Sequence, residues 1–110
     1  MKVIRVEPRK MPEIIEIDNT LDALQEQVNG YIQAIYPFDD QVAIVCNEEG
    51  KLMDLEENRL LRDEDGTIID LLVGTFLVVG LGDEDFDSLS DDLIVKYNKY
   101  FMDNGPVLIF

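Results

Sequence analysis

The alternation of apolar and polar positions divides this chain into short elements. Lys2-Val3-Ile4-Arg5-Val6 alternates charged and apolar residues, the period of a half-buried strand. Glu7 to Pro12 carries two prolines and reads as a loop, and Glu13 to Ile17 reads as a second strand. Together they predict a hairpin whose apolar contribution is Ile4, Val6, Ile15 and Ile17. Asp18-Asn19-Thr20 then offers three residues with N-cap chemistry. Leu21, Leu24 and Val28 follow at i, i+3 and i+7, one face of a helix. Ile17 is placed to staple its first turn and Gly30 to end it, which predicts a helix over residues 20–29.

Tyr31 to Tyr36 reads as a strand stopped by Pro37, and Asp39-Asp40 as a turn. Val42 to Cys46 is uninterruptedly apolar, the mark of a buried strand. Asn47-Glu48-Glu49-Gly50 supplies turn chemistry, so Lys51 to Leu55 is expected to return antiparallel, with Gly50 at positive φ. Glu56 to Arg62 is polar apart from Leu60 and Leu61, and Asp63 to Gly66 forms a turn. The longest apolar run lies between Gly66 and Gly82. Within it, Thr75 to Val79 is β-branched and aromatic between two glycines, so it is expected to be a strand buried on both faces at the centre of a sheet. Ile68 to Val73 fits either a second strand or one helical turn, and Asp70 in its middle requires water or a donor.

Asp83 to Asp87 reads as an acidic loop, after which Ser88 or Ser90 caps a second helix. Asp91 and Asp92 suit its first turn, and Lys96 and Lys99 lie toward its C-terminal end. Leu93, Ile94, Tyr97 and Phe101 form its buried face, and Asn104-Gly105-Pro106 stops it. Val107 to Phe110 is apolar and fits a terminal strand or a plug for a groove. These elements predict a single α+β domain over residues 1–110. Its mainly antiparallel sheet would have one face covered by helices at about 20–29 and 89–103. Strand 75–79 would be central, between 31–36 and 42–46.

A hydrophobic share of 46% allows a core and excludes disorder. No basic n-region precedes an apolar h-region, so no signal peptide is expected. The longest apolar run is flanked by Asp70 and Asp83 and falls well short of the roughly twenty residues of a membrane span. Cys46 is the only cysteine; it sits in an apolar run and reads as a packing residue, and the absence of an intrachain disulfide fits a reducing cytoplasm.

The chain has no histidine, which removes Ser-His-Asp and Cys-His catalysis and the commonest zinc ligand. Carboxylate catalysis needs two acids across a cleft with one pKa raised, and 24 acids supply such pairs by chance. No enzyme activity, cofactor or metal is therefore expected. The net charge is −15, and four of the nine basic residues, Lys2, Arg5, Arg9 and Lys10, sit in the first ten positions. Direct binding to a nucleic-acid backbone is unfavourable for such a chain. A basic partner is favoured, or the acidity serves solubility.

Four motifs carry candidate chemistry. Gly80-Leu81-Gly82 resembles the start of a dinucleotide loop, but its third glycine would fall at Asp85 and the acidic surroundings repel a pyrophosphate. Asp83-x-Asp85-x-Asp87 has the opening spacing of a calcium loop, but Ser88 and Ile94 stand where glycine and a bidentate glutamate are required. Asn47-Glu48-Glu49-Gly50-Lys51 reads as a recognition loop, with Asn47 and Glu49 as binding residues, or as plain turn chemistry. Asn58-Arg59 reads as a pair that holds an anionic ligand or a partner's carboxylate, or as an arginine that neutralises Glu56, Glu57, Asp63 and Glu64 while Asn58 bonds to backbone.

Three pieces also occur together in a known order: Asp18-Asn19-Thr20-Leu21 with Gly30-Tyr31-Ile32; Val45 to Lys51; and Glu57-Asn58-Arg59 followed by Val73-Gly74-Thr75 to Val79-Gly80. In this arrangement the chain resembles domain-of-unknown-function family 3846 over most of residues 2–100. The resemblance implies a phage or Firmicutes mobile-element context and a bacterial cytoplasm, and carries no catalytic residues. The function expected is a non-enzymatic acidic interaction protein that binds a host protein with a basic surface, as a DNA mimic or anti-defence factor in its sharper form. The alternative is a small-molecule or nucleotide-ligand binding module. Oligomeric state is not legible.

Overall fold

The computed structural model describes residues 1–107. In chain order the strands are β1 (Lys2–Val6), β2 (Glu13–Glu16), β3 (Ile32–Ile35), β4 (Val42–Asn47), β5 (Glu57–Arg62), β6 (Ile68–Val73), β7 (Phe76–Leu81) and β8 (Phe86–Asp87). The helices are α1 (Leu21–Val28) and α2 (Asp91–Asp103). The main sheet has the order β2-β1-β7-β4-β3, with β8 added to β7, and its pairings are antiparallel. β5 and β6 form a separate two-stranded hairpin. The chain is thus one α+β domain with a mostly antiparallel sheet and two helices.

The central position of β7 follows from its composition: Phe76, Leu77, Val78 and Val79 are all fully buried. Its neighbours are β1 and β4, not the Tyr31–Tyr36 segment, which forms the outer edge as β3. β1 takes the inner place because Val3, Ile4 and Val6 are fully buried, on both faces, so it is more than the half-buried strand its alternation predicts.

The helices lie on opposite faces, which corrects the expectation of one covered face. Ile4, Val6, Ile44, Phe76 and Val78 face α2 through Ile94, Tyr97 and Phe101, together with Leu61 and Leu72 of the β5–β6 hairpin. Val3, Ala43, Val45, Leu77 and Val79 face Leu24 of α1. The period of two explains this: Val42 to Cys46 and Phe76 to Val79 are apolar without a break, so both faces of the sheet need a cover.

α1 begins as expected, with Thr20 Oγ1 accepting from the Ala23 N–H. It ends at Asn29, which adopts the left-handed conformation (φ 60°) in place of Gly30. Ser90 caps α2 by accepting from the Leu93 N–H. The last turn of α2 contains no basic residue; Lys99 pairs with Asp103.

Three further expectations change. Lys51–Leu55 is a turn and not a return strand: Met53 N–H donates to Glu49 O at 2.8 Å and Leu55 N–H to Gly50 O at 3.0 Å. The left-handed residue there is Asp54, not Gly50, and Gly50 serves space instead, since a Cβ would lie 2.9 Å from Val73 Cγ2. Glu57–Arg62 is a strand despite its polarity, and its pairing partner Ile68–Val73 is a strand and not a helical turn. Asp70 is half-buried and finds its donors in Lys51 Nζ (2.9 Å) and the Leu71 N–H (2.8 Å). Phe86–Asp87 leaves the acidic loop to pair with β7. The terminal apolar segment falls outside the described residues from 108 onward. No described helix is long and apolar enough to cross a membrane.

Candidate functional site

β5 carries both site residues singled out from its sequence. A register shift between Glu57 and Arg59 leaves Asn58 unpaired in the ladder, a β-bulge. Strict alternation is broken there, so two consecutive side chains turn inward, and Asn58 and Arg59 are both fully buried. Asn58 Nδ2 donates to Val6 O (2.9 Å) and Gly74 O (2.8 Å), tying β5 to β1 and to the entry of β7. Its Oδ1 accepts from Arg59 Nη1 at 2.8 Å. Arg59 Nη2 donates to Lys10 O and Nε to Phe101 O at 3.5 Å.

Among the described residues no carboxylate forms a salt bridge with Arg59; its partners are carbonyls and one amide oxygen. Phe101 lies in the last turn of α2, where the carbonyls carry partial negative charge and the helix has no cation of its own. Arg59 fills that role from another strand. Burial pushes its guanidinium below the ordinary value, and it remains a cation.

Asn47 is likewise 6% exposed and bonded internally. Its Nδ2 donates to Val28 O (3.0 Å) and Asn29 O (3.3 Å), which satisfies carbonyls at the C-terminus of α1, and its Oδ1 accepts from the Glu49 N–H at 2.8 Å. A Cβ on Gly30 would meet Asn47 Nδ2 at 2.8 Å, so the glycine makes room for this amide. The Glu49 side chain is exposed. Asn47 and Glu49 are brought together; Asn58 and Arg59 form a second, separate group.

A cleft lies elsewhere and was not legible as a site. About 560 Å³ in volume, it is walled by the β3–β4 connection (Pro37, Phe38, Asp39, Asp40), by the β5–β6 turn (Arg62 to Asp65) and by Lys96, Tyr97 and Tyr100 of α2. Pro37 ends β3 and turns the chain, which puts Phe38 against the helix. Its ring centroid is 4.7 Å from that of Tyr97 and 5.3 Å from that of Tyr100. Tyr100 Oη donates to Arg62 O (2.9 Å) and accepts from the Arg62 N–H (3.1 Å), pinning the end of β5 to α2.

Five acids and two bases line this aromatic surface. Asp40 Oδ2 accepts from Lys96 Nζ and from Tyr97 Oη, each at 2.6 Å. These two donors, Lys96 first, hold the Asp40 carboxyl below its ordinary value. Burial, then the bond to Asp40, pushes the Tyr97 phenol up. Lys96 Nζ also sits 5.5 Å from the Tyr97 ring centroid. The cleft therefore already holds one ammonium group by a carboxylate and an aromatic face. Among the described residues Asp39, Glu64 and Asp65 form no salt bridge, so negative charge remains unmatched. Also among them, no group of three Cys, Asp or Glu side chains is placed to hold a metal ion.

Fold and cleft together define a class: a small acidic α+β domain with a helix on each face of an antiparallel sheet and an acid-lined, aromatic-floored cleft at one end. Over residues 1–102 the sequence matches a Domain of unknown function (DUF3846), and the chain belongs to that family. Neither the curated proteins nor the solved structures yield a match to it.

Proposed function

We propose that this is a non-enzymatic interaction protein that binds a host protein with a basic surface, and that the cleft at Asp40 and Tyr97 is where a basic side chain of that partner is seated. The observation that carries this reading is Lys96. An ammonium group is held there between a carboxylate and an aromatic ring, and among the described residues the other four acids of the cleft, Asp39, Asp63, Glu64 and Asp65, form no salt bridge. A lysine or arginine from a partner finds the same chemistry in the same cleft. The net charge of −15 supports the choice of partner by steering basic proteins toward the surface.

The wider setting belongs to the same proposal: a phage or mobile-element protein acting in the bacterial cytoplasm as an anti-defence factor. DNA mimicry is its sharper form, and it needs carboxylates in a paired, extended array, since B-DNA carries one charge per roughly 1.7 Å of axis.

The test is capture of basic proteins from a bacterial lysate by the native chain and by a cleft variant with Asp39→Asn, Asp40→Asn, Glu64→Gln and Asp65→Asn. A basic protein retained at low salt by the native chain and released from the variant supports the reading. Equal retention by both, or none by either, overturns it.

A second reading, a small-molecule binding module, draws on the cleft volume, which lies within the range of ligand pockets. The lining favours a cationic aromatic ligand over a nucleotide, because five carboxylates oppose a phosphate. Arg59 and Asn58 do not line the cleft. A thermal-shift screen decides it: a ligand at a hundred times its Kd adds about 2.7 kcal/mol, and a flat screen removes this reading.

A further inference from the structure

The two edges of the main sheet are built differently. The edge strand β2 begins on Glu13 and ends on Glu16, with Pro12 before it and Asp18 close behind. Charges and proline at an edge discourage pairing with another chain. The opposite edge strand, β3, has the same length of four residues and is followed by Pro37, but no charged residue lies within it. Residues 27–38 carry no charged side chain, in a chain that is 30% charged. Gln33 is exposed, and Tyr31 (67% exposed) and Tyr36 (61%) bracket the strand. Among the described residues no strand pairs with its outer side. In an antiparallel ladder, alternate N–H and C=O groups of such a strand face outward without a partner strand.

We propose that β3 is a strand-addition site, which takes an extended, basic segment of the partner protein as a further strand of the main sheet. This rests on the reading that the partner is basic and adds where, and in what conformation, it is recognised. Main-chain bonds along β3 supply affinity, and the tyrosines supply apolar contact area. Charge selects the occupant. Glu48 lies at one end of β3, its N–H donating to Tyr31 O at 2.9 Å, and Asp39-Asp40 lies just beyond the other end. A second copy paired antiparallel would bring Asp39 and Asp40 of one chain toward Glu48 and Glu49 of the other, and like charges repel. A basic strand meets opposite charge at both ends. Pro37 and Phe38, which follow the strand, already line the acidic cleft, so the added strand leads toward it.

The experiment uses the whole chain and an eight-residue peptide of alternating lysine and valine, against the same peptide N-methylated at alternate amides. Amide hydrogen exchange at Ile32–Ile35 and peptide binding are both followed by NMR at low salt. Addition of the unmodified peptide is expected to slow exchange of the outward amides of β3 by about tenfold or more, because they leave water for a ladder. The N-methylated peptide is expected to bind at least several-fold more weakly, although its charge is unchanged. Binding of both peptides alike, with no protection in β3, overturns strand addition but leaves the basic-partner reading standing. Binding of neither peptide overturns both. Protection of β3 that appears with rising protein concentration, without peptide, overturns the choice of occupant in favour of a second copy.

Discussion

Arg59 and Arg62 stand three residues apart on one strand and do opposite things. Arg59 is fully buried and spent on the backbone: Lys10 O, Asn58 O and Phe101 O receive its protons, with Asn58 Oδ1 beside them. Arg62 lies at the wall of the open cleft, with Nη1 on Gly66 O at 3.0 Å, and five acids line the same cleft. The difference is set by backbone geometry, since β5–β6 shifts register near each of them. One bulge turns Asn58 and Arg59 together into the interior, where they join β1, β7 and the end of α2. The lesson is that an arginine among acids marks a binding site only where the backbone leaves it in reach of solvent. Here the inward pair is a lock, and the chemistry open to a partner gathers around Asp40 and Tyr97.

The comparison is most easily broken at the lock. Arg59→Ala leaves buried carbonyls and Asn58 Oδ1 without their donor and opens a cavity. A loss of about 3–5 kcal/mol in urea unfolding is expected, with Arg59→Lys recovering only part of it. A loss below about 1 kcal/mol would mean that Arg59 is held for some other purpose. Next, Asn58→Ala should cost about 2–3 kcal/mol, since Val6 O and Gly74 O both lose a donor. Asn47→Ala should cost about 1–2 kcal/mol and speed exchange in the last turn of α1, whose carbonyls it caps.

The cleft should respond more weakly in stability. Tyr97→Phe removes one hydrogen bond and is expected to cost about 1 kcal/mol. Its pH signature has a definite sign. The Tyr97 pKa is raised in the folded state, so stability is level up to the ordinary value of 10.0 and falls as pH rises beyond it. Asp40 is the reverse: its pKa is depressed, first by Lys96 and then by Tyr97. Its contribution is present above the ordinary 3.8 and is lost as pH falls below that. If the stability of the native chain does not fall relative to that of Tyr97→Phe as pH rises above 10.0, the raised Tyr97 pKa, set first by burial and then by the bond to Asp40, is contradicted. Smallest of all, the melting temperature should rise with NaCl, because a Debye length of about 10 Å at 0.1 M shrinks to about 3 Å at 1 M and screens like charges. Asp83, Asp85 and Asp87 changed together to asparagine should stabilise the chain or leave it unchanged. A fall in melting temperature in Ca²⁺ but not in chelator would restore a calcium loop there.

Where apolar patterning was continuous, the sequence was readable. β4, β7, both helices and their serine or threonine caps follow from run length, periodicity and N-cap chemistry. β5 was not readable, because its buried residues include Asn58 and Arg59, and no hydrophobic pattern marks a strand whose inward face is polar. The bulge that buries two neighbours in succession removes the alternation as well. Sheet order was only half legible: Ile4 and Val6, with Ile15 and Ile17, read as one face of a hairpin, but Val3 is buried on the other face with Leu24 of α1, which made β1 an inner strand. The cleft was illegible for a different reason. Its walls come from residues 37–40, 62–65 and 96–100, which meet only after the chain has folded. The one available signal was the alignment of Tyr97 and Tyr100 on α2 with Lys96 beside them, and that looks the same as any half-buried helix face.

The proposal that the cleft receives a basic side chain is tested most directly by an NMR titration of the native chain with a short arginine peptide, read residue by residue. The expected result is saturable shifts at Phe38, Asp40, Lys96, Tyr97 and Tyr100, weakened by salt and lost in the Asp39, Asp40, Glu64 and Asp65 variant, with Asn58 and Arg59 unmoved. Shifts that centre on Asn58 and Arg59, or that spread evenly over the acidic surface and survive in the variant, would contradict it.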